Sequence, residues 1–453
     1  SLQMIAFSFI KYVKGCWQFS LTPDVANATA CCIMIDANQI SDHQYNTLSA
    51  QLADEAFAQW NNGVLLEASA TERNYIKTLN PPTLQDEYRF IKKYWGSKWC
   101  LYIFLIRVLG LHNPLKEIKA FIYTLHVKKN VLGAKVIPYK QFDETDINKN
   151  YLVSIIIPTL NRYDYLKDTL QDLCHQTFTN FEVIVTDQSN QFDTTFYESF
   201  PLNIVLIRQE EKLLWTARNN AIKKSKGSLI LFFDDDSRVA PDWIEMHIKA
   251  INYFNADVSA GVSLASAGAK IPADYNYLRW ADQFDSGNAM VRRKVFEKTG
   301  LFDEQFNEGR QGDGEYGYRL YMHGCRSISN PKAYRVHLKA DKGGLRESVG
   351  WDGWRPKYWW QPKPVPSVLY AYKKYFTKSS YRYTVFLNLL LSHSTYAMKR
   401  NAAIRYLSMV IFFISIPLTF IRYRKSERIA EEMFLKFQTG QKPVQHLMPR
   451  VIS

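Results

Sequence analysis

Short apolar runs alternate with segments of helical spacing along the middle of the chain. The runs that we interpret as strands buried on both faces are 153–157, 181–185, 203–207 and 228–233. Helical spacing covers residues 163–174 and 213–224, and Pro241 is well placed as the first residue of a further helix. This alternation predicts an α/β fold whose sheet is mainly parallel and doubly wound.

The ends of these predicted strands carry polar residues. Thr159 follows the first run, Asp187 follows the second, and Asp234–Asp236 follow the fourth. Ligands of doubly wound sheets bind outside the carboxyl ends of the strands. We therefore expect these residues to lie together along one edge of the sheet.

Two further regions flank the predicted sheet domain, which we place at residues 149–342. Residues 1–148 are expected to form an N-terminal domain of unknown role, and their last part runs into the polar stretch 141–150, which is typical of a linker. Residues 343–453 are aromatic and basic. We expect this C-terminal region to be helical and to face the acceptor or a membrane.

Two apolar segments outside the sheet domain bear on membrane contact. Residues 406–421 include Pro417 and are short for a bilayer-spanning helix, which needs about 20 residues. Because Arg422–Lys425 follow directly, this segment is either an interfacial helix facing anionic lipid or a buried helix with a basic face. The shorter apolar segment 99–111 contains Arg107, and we expect a buried helix there.

Positive charge is concentrated near the C-terminus. The 453 residues carry a net charge of +14, and residues 352–453 contain 17 Lys or Arg against 4 Asp or Glu. Such a region favours an anionic partner, namely nucleic acid, a membrane surface or a phosphorylated acceptor. Six cysteines without a paired spacing, and the lack of a secretory signal, predict a cytoplasmic protein with peripheral contact at the inner face of the cell membrane.

The run Asp234–Asp236 places three carboxylates at one strand end. Adjacent carboxylates repel one another unless a cation or strong donors lie nearby. Mg²⁺ and Mn²⁺ prefer oxygen ligands and usually keep a substrate phosphate in their coordination shell. The alternative is a solvated loop that caps the following helix. The strongly apolar strand before the run favours the metal.

Five segments of the chain are informative as an ordered set. They are Val153–Arg162, Phe181–Ser189, Ala217–Ala221, Leu231–Asp236 and Gly287–Phe296, the last followed by Gly300–Glu304. Together they resemble the motifs of family 2 glycosyltransferases, which have the GT-A fold. The resemblance covers residues 151–340 and implies a Rossmann-like domain, an inverting reaction and a nucleoside-diphosphate sugar as donor.

The resemblance also implies roles for individual residues. Asp234 and Asp236 bracket the family's DxD-type motif and, with His337, would hold Mn²⁺ or Mg²⁺, although a lone histidine is as readily structural. The residues implied at the nucleotide and donor sugar are Thr159, Asn161, Arg162, Asp187, Arg218, Asp234 and Asp235. A strand-end turn is the structural alternative for Asp187, and a surface helix position is the alternative for Arg218.

A catalytic base is also required. An inverting transfer needs a carboxylate that takes the proton from the acceptor hydroxyl. The segment Gly312–Leu320 resembles the family's acidic motif at a helix start, where Asp313 aligns with the base and Glu315 is the second choice. Gly312 stands where the family has an acid, so the motif departs from its pattern here. Helix capping is the structural alternative for Asp313.

Four residues are candidates for the acceptor side. Trp280 and Asn288 would shape the sugar pocket, with core packing as the alternative for each. Trp351 and Trp354 lie in an aromatic segment that would stack on sugar rings, or else form a lid or the core of a helical subdomain.

The sequence therefore predicts a glycosyltransferase that acts on a glycan or lipid-linked acceptor in bacterial surface polysaccharide assembly. One alternative is a nucleotidyltransferase, which would carry a glycine-rich basic loop where Pro158–Arg162 stands. The other is a non-catalytic protein that binds glycan or nucleic acid on a transferase-like fold. The intact acidic run and Asp313 favour the enzyme, and no nucleic-acid partner is expected.

Overall fold

A nine-stranded mixed sheet and a separate two-stranded sheet organise the computed structural model, which describes residues 7–33, 44–339, 344, 352–394 and 401–440. The strands are β1 (Ala28–Ala30), β2 (Leu66–Ala68), β3 (Val153–Thr159), β4 (Phe181–Asp187), β5 (Ile204–Arg208), β6 (Leu229–Phe233), β7 (Ser237–Val239), β8 (Val258–Leu264), β9 (Arg279–Trp280), β10 (Asn288–Arg292) and β11 (Ser327–His337). Strands β1 and β2 pair antiparallel, and the large sheet has the order β5-β4-β3-β6-β10-β8-β11-β7, with β9 paired to β11.

One half of the large sheet is parallel, and the other half is mixed. Strands β5, β4, β3 and β6 run parallel, whereas β10 is antiparallel to both of its neighbours. Every residue of β3 and β6 is buried, as their continuous apolar runs require when both faces of a sheet are covered. The predicted α/β fold is confirmed.

Helices cover both faces of the sheet. Those of the sheet domain are α7 (Tyr163–Cys174), α8 (Thr194–Glu198), α9 (Leu214–Lys224), α10 (Trp243–Tyr253), α11 (Lys294–Thr299) and α12 (Gly312–Met322). Along β3, Ile155 and Ile157 pack with α7 and α10, and Ile156 faces the opposite core with α9 and α12. The expected helix start at Pro241 is wrong by two residues, because α10 begins at Trp243 after Asp242 at its N-cap.

Strand register brings the predicted polar residues to one edge. Thr159, the last residue of β3, pairs with Asp187, the last residue of β4. Strand β6 is the other neighbour of β3 and ends at Phe233, directly before Asp234. Because the three strands are parallel, their carboxyl ends meet at the same side of the sheet.

The N-terminal region packs tightly on the sheet domain. Its helices are α1 (Ile10–Lys14), α2 (Leu48–Trp60), α3 (Ala70–Thr78), α4 (Leu84–Tyr94), α5 (Ser97–Leu109) and α6 (Pro114–Tyr123). The indole of Trp60 donates to the Trp280 carbonyl at 3.1 Å, and the indole of Trp280 donates back to the Leu66 carbonyl at 2.8 Å. One continuous apolar core spans the two regions. The domain bounds 1–148, 149–342 and 343–453 stay predictions.

Helix α5 differs from the expectation for residues 99–111. Only Cys100 and Ile103 of this helix are buried, whereas Leu101, Leu105 and Leu109 are exposed. The prediction of a buried helix is therefore wrong. The apolar composition reflects one buried stripe and a second stripe that points to solvent.

The C-terminal region is helical, as expected. Its helices are α13 (Pro366–Tyr375), α14 (Lys378–Leu390), α15 (Ala402–Ile414) and α16 (Ile416–Gly440). Among the described residues no single helix has the length and apolar composition to cross a bilayer. Helices α15 and α16 meet those criteria only as a pair, bent by 79°.

Candidate active site

The acidic run connects β6 to β7 at the carboxyl edge of the parallel strands. Ser237, the first residue of β7, pairs with His337 at the end of β11. This pairing brings a histidine from far along the chain beside the run, with its Nε2 3.1 Å from Oδ1 of Asp236. The sheet therefore joins residues that the sequence keeps apart.

Three side chains at this edge form a group suited to a cation. One ligand atom each from Asp234, Asp236 and His337 lies within 4.8 Å of the other two. Burial alone would raise the pKa of Asp236, but His337 outweighs it and lowers that pKa below its ordinary value. Two ionised carboxylates and an imidazole nitrogen are a donor set that suits Mn²⁺ and accommodates Mg²⁺. These residues fit the divalent cation that the sequence predicts.

Two buried arginines hold Asp234 from opposite sides. Arg218 on α9 lies 2.9 Å from Oδ1, and Arg335 on β11 lies 2.6 Å from Oδ2. Burial would raise the pKa of Asp234, but the two guanidinium groups hold it well below its usual range. A side chain at Gly287 would collide with Asp234 and Arg335, so this contact depends on a glycine. We call Asp234, Asp236, His337, Arg218 and Arg335 the clamped cluster.

Asp235 is held in a different environment, behind the clamped cluster. It accepts hydrogen bonds from Thr159 at 2.8 Å and from Arg162 at 3.0 Å. Burial raises the pKa of Asp235 to about 6, and Asp236 adds to this effect while Arg162 opposes it. Thr159 and Arg162 therefore fix the acidic run in place as well as facing the cavity.

A cavity of about 130 Å³ opens above the run. Its cationic lining comes from Arg162, Lys212 and Arg310, and its acidic lining comes from the run itself. A cavity with both signs of charge can hold a diphosphate together with a divalent cation. Lys212 and Arg310 were not singled out from the sequence, because neither lies in a recognisable motif.

Asp187 and Asn161 support the floor of this region. Both hydroxyls that reach Asp187 come from tyrosines, Tyr163 at 2.5 Å and Tyr197 at 2.8 Å, and the carboxylate is fully buried. Asn161 has a positive φ of 55° and its Oδ1 accepts from the backbone N–H of Asn190 at 2.9 Å. Both residues shape the loops around the cavity, and their contact with a nucleotide stays a prediction.

A second cavity, of about 310 Å³, lies beside the start of α12 and contains two carboxylates. Asp313 accepts from the backbone N–H of Ser286 at 2.9 Å, and Asp285 accepts from Ser263 at 2.6 Å. Burial raises the pKa of Asp313, and the negative charge of Asp285 raises it further. We call these residues the Asp285–Asp313 pair. A carboxylate of this kind is suited to accept a proton.

Comparison with known proteins identifies the family of the central segment. Residues 154–300 match the model of glycosyl transferase family 2. This segment of the chain is a family 2 domain. The match includes Asp234–Asp236, whereas Asp313 and His337 lie beyond its end.

Two relatives of the family 2 domain are named as synthases of chondroitin and of hyaluronan. The chain is 26% identical over 235 residues to the chondroitin synthase of Escherichia coli, covering 40% of this chain and 34% of that protein. It is 29% identical over 235 residues to the hyaluronan synthase of Pasteurella multocida, covering 40% of this chain and 24% of that protein. The chain thus corresponds to about a third or less of these relatives.

One solved structure with a similar arrangement is S. aureus TarS 1–349 in complex with UDP-GlcNAc. It is 19% identical, has a TM-score of 0.39, and the similarity covers 58% of this chain and 71% of that one. This likeness is too distant to carry an argument about ligands.

Glu315, the second choice for the base, lies outside both cavities of the family 2 domain. It pairs with Arg319 at 2.5 Å and Lys374 at 2.7 Å, and it accepts from the Tyr375 hydroxyl at 2.7 Å. Burial would raise the pKa of Glu315, but these two cations lower it to about 2. Because Glu315 is already paired with these residues, it has the contacts of a structural residue. The geometry therefore favours Asp313 as the candidate base.

The residues predicted for the acceptor side are less well supported by their contacts. Trp280 is 2% exposed and binds the N-terminal region, and Asn288 is fully buried and bonded to Trp243 and His247. These are the packing roles considered as alternatives. Trp354 is partly buried against the apolar core, and Trp351 lies outside the described residues. Their acceptor roles stay predictions.

Besides Lys212 and Arg310, two residues of the site were missed from the sequence. Arg335 belongs to the segment that predicted a strand before His337, and its alternation with that histidine could have placed both side chains on the same face. Asp285 precedes Gly287 in a turn that no motif marked. The signal for Asp285 is spatial, since its partners Ser263 and Arg335 come from two other strands.

Proposed function

We propose that the chain is an inverting glycosyltransferase. It transfers a sugar from a nucleoside diphosphate to a hydroxyl of a glycan or lipid-linked acceptor in surface polysaccharide assembly. One observation carries the proposal: within or beside a family 2 domain, a cation-type group of Asp234, Asp236 and His337 adjoins a cavity lined by arginine and lysine. The polysaccharide synthases among the relatives support the acceptor class.

The clamped cluster would position the leaving group. A divalent cation held by Asp234, Asp236 and His337 neutralises charge on the departing diphosphate when bound. Arg162, Lys212 and Arg310 line the same cavity and add fixed positive charge toward the phosphates. The buried Nε of Arg218 has no hydrogen-bond partner among the described residues, so this guanidinium retains donor capacity beside the site.

Asp313 would perform the proton transfer. Its carboxylate takes the proton of the acceptor hydroxyl while that oxygen forms a bond to the anomeric carbon. The bond from the anomeric carbon to the diphosphate breaks, and its electron pair leaves with the diphosphate. Attack opposite the leaving group inverts the anomeric configuration. The raised pKa of Asp313 makes it a stronger base than an exposed aspartate.

Peripheral membrane contact is part of the same proposal. At the bend between α15 and α16, Phe413, Ile414, Phe420 and Ile421 are all exposed. Arg424 and Lys425 follow and are also exposed. Exposed apolar side chains next to exposed cations favour the interfacial interpretation of residues 406–421 over a buried helix.

A thermal-shift panel tests the donor and the cation. We expect one class of nucleoside-diphosphate sugar, at about one hundred times its Kd, to raise the Tm by about 5 °C with Mn²⁺. The shift should disappear with a chelator and in Asp236→Asn, which removes a ligand charge. Asp168→Asn is the matched control, because this carboxylate lies on the surface of α7 with 49% of its side chain exposed.

Two results would contradict the proposal. If no nucleotide sugar changes the Tm and chelation has no effect, the chain does not use a sugar nucleotide with a metal. If Asp236→Asn transfers sugar at the rate of the unchanged protein, the cation lies elsewhere. Stabilisation by nucleoside triphosphates alone would instead favour the nucleotidyltransferase.

A further inference from the structure

The helical hairpin formed by α5 and α6 exposes an extended apolar surface. Leu101, Leu105 and Leu109 recur every fourth residue, which places them on one stripe of α5. Leu115, Ile118 and Ile122 form a similar exposed stripe on α6. The loop between the helices adds Leu111, which is 95% exposed. Isolated exposed leucines are ordinary, whereas a contiguous set of this kind marks an interaction surface.

The charges around this surface have one sign. Residues 97–129 contain six Lys or Arg and a single acid, Glu117. That acid is buried and paired with Arg107 at 2.8 Å, so it contributes no exposed negative charge. The exposed charged residues of the hairpin are Lys98, Lys116, Lys119, Lys128 and Lys129. An anionic partner would therefore meet only attraction here.

A second surface of the same character lies on helices connected to the hairpin. Arg107 of α5 donates to the Tyr12 hydroxyl at 3.5 Å, and the Tyr12 ring lies 4.5 Å from that of Tyr383 on α14. Helix α14 in turn packs on α15 through Phe386 and Phe412, whose rings are 6.0 Å apart. This path leads to the exposed bend of α15 and α16. Residues 402–425 contain no acid.

Exposed tryptophans lie next to the bend. Arg422 at the start of α16 donates to the Gln361 carbonyl at 2.8 Å, which places the preceding Trp359 and Trp360 nearby. These indoles are 68% and 55% exposed. Tryptophan is enriched where protein meets the boundary between lipid headgroups and acyl chains.

We propose that the α5–α6 hairpin is a membrane-docking element that seats on an anionic lipid surface together with the α15–α16 bend. Exposed leucines would insert at the acyl boundary while the five lysines remain among the headgroups. A symmetric contact with a second copy of the chain would oppose lysines to lysines, because an isologous interface joins the same patch to itself. Lipid satisfies both the apolar and the electrostatic character of the surface. The inference rests on the peripheral membrane contact proposed above and does not depend on glycosyl transfer.

Vesicle flotation of the full chain tests the proposal without any sugar nucleotide. We expect the protein to float with vesicles of phosphatidylcholine and phosphatidylglycerol, and to float less with phosphatidylcholine alone. The double variant Leu105→Glu, Leu109→Glu should reduce the partition coefficient by about tenfold or more, since it removes two inserting side chains and adds repulsion. Lys116→Gln with Lys119→Gln should lower only the preference for anionic vesicles.

Leu435→Glu is the matched control, because Leu435 and Leu105 are both 51% exposed and Leu435 neighbours Glu431 and Glu432 on α16. It should float like the unchanged protein. Circular dichroism and the Tm of each variant establish that folding is retained. We expect it to be retained because the substituted side chains are exposed. A double hairpin variant that floats normally would overturn the proposal. So would a hairpin variant that only converts a dimer to a monomer in sedimentation, since the surface would then serve self-association.

Discussion

The carboxylates of the clamped cluster and Asp313 of the Asp285–Asp313 pair have opposite pKa shifts. Both groups are partly buried at the same edge of the sheet, where desolvation disfavours ionisation. In the clamped cluster, Arg218 and Arg335 more than offset that effect at Asp234. At Asp313, burial and the negative charge of Asp285 outweigh the opposing effect of Arg218, and the pKa is raised. In the proposed mechanism, this difference separates residues that stay charged from a residue that gains and loses a proton.

Arg335 connects these two groups. Its guanidinium lies 2.6 Å from Asp234 and 3.1 Å from Asp285. The same cation therefore keeps Asp234 and Asp285 ionised, and the ionised Asp285 in turn raises the pKa of Asp313. In the proposed mechanism, Arg335 on the leaving-group side thus influences the proposed base, Asp313, through Asp285.

The largest expected effect comes from Asp313→Asn. The amide cannot accept the proton, so transfer should fall by about a thousandfold, within the range usual for a general base. Nucleotide binding should persist, because Asp313 lines the second cavity and is not among the residues that line the cavity above the acidic run. Steady-state kinetics and the thermal shift with donor measure the two properties separately. The N-cap of α12 is Gln311 and not Asp313, so loss of donor binding together with activity would show that Asp313 holds the fold through its bond to Ser286.

A second prediction concerns the cluster around Glu315. Lys374 is 2% exposed and pairs with Asp303 and Glu315, so Lys374→Met leaves two buried carboxylates with fewer partners. We expect a loss of about 3 kcal/mol in the free energy of unfolding. Lys373→Met on the same helix is the control. Its partner Glu431 is half exposed, and the loss there should be about 0.5 kcal/mol.

The Lys374 and Lys373 variants also test whether the C-terminal helices position Asp313 or only stabilise the fold. Glu315 lies in the first turn of α12, and Lys374 anchors it to α13. If Lys374→Met lowers only stability, the C-terminal helices support the fold alone. If kcat falls while KM is retained in the folded fraction, Lys374 positions Asp313 through α12. Equal losses in the free energy of unfolding of the Lys374 and Lys373 variants would contradict the idea that burial makes the Lys374 ion pairs more important for stability.

Arg335→Gln should reduce sugar transfer less than Asp313→Asn does. The glutamine keeps one donor but removes the charge that Asp234 and Asp285 share, so the pKa of each carboxyl should rise. We expect kcat/KM to fall by about thirtyfold, which corresponds to about 2 kcal/mol. Arg335→Lys should recover part of this loss. A glutamine variant with unchanged kinetics and unchanged dependence on Mn²⁺ would show that Arg218 alone is sufficient.

The sequence was most informative where local pattern and position coincide. The apolar runs located β3, β4 and β6 to within a residue or two, and helix α7 occupies the predicted range 163–174. Asp234–Asp236 were found because they follow an apolar strand directly. Arg335 and Asp285 were missed because their roles arise from pairing between distant strands. The exposed stripe of α5 was missed because composition does not reveal which apolar face is covered.

The finest test changes only one charge in the Asp285–Asp313 pair. In Asp285→Asn, the nearby negative charge is removed and Arg335 loses one of its two carboxylate partners, and both changes favour the ionised form of Asp313. The pKa of Asp313 should fall, so the acidic limb of the kcat/KM profile should shift to lower pH. Asp274→Asn, at an exposed position near the same cavity, should leave the profile unchanged because solvent screens its charge. Loss of transfer at every pH, in place of a shift, would mean that Asp285, and not Asp313, carries the proton.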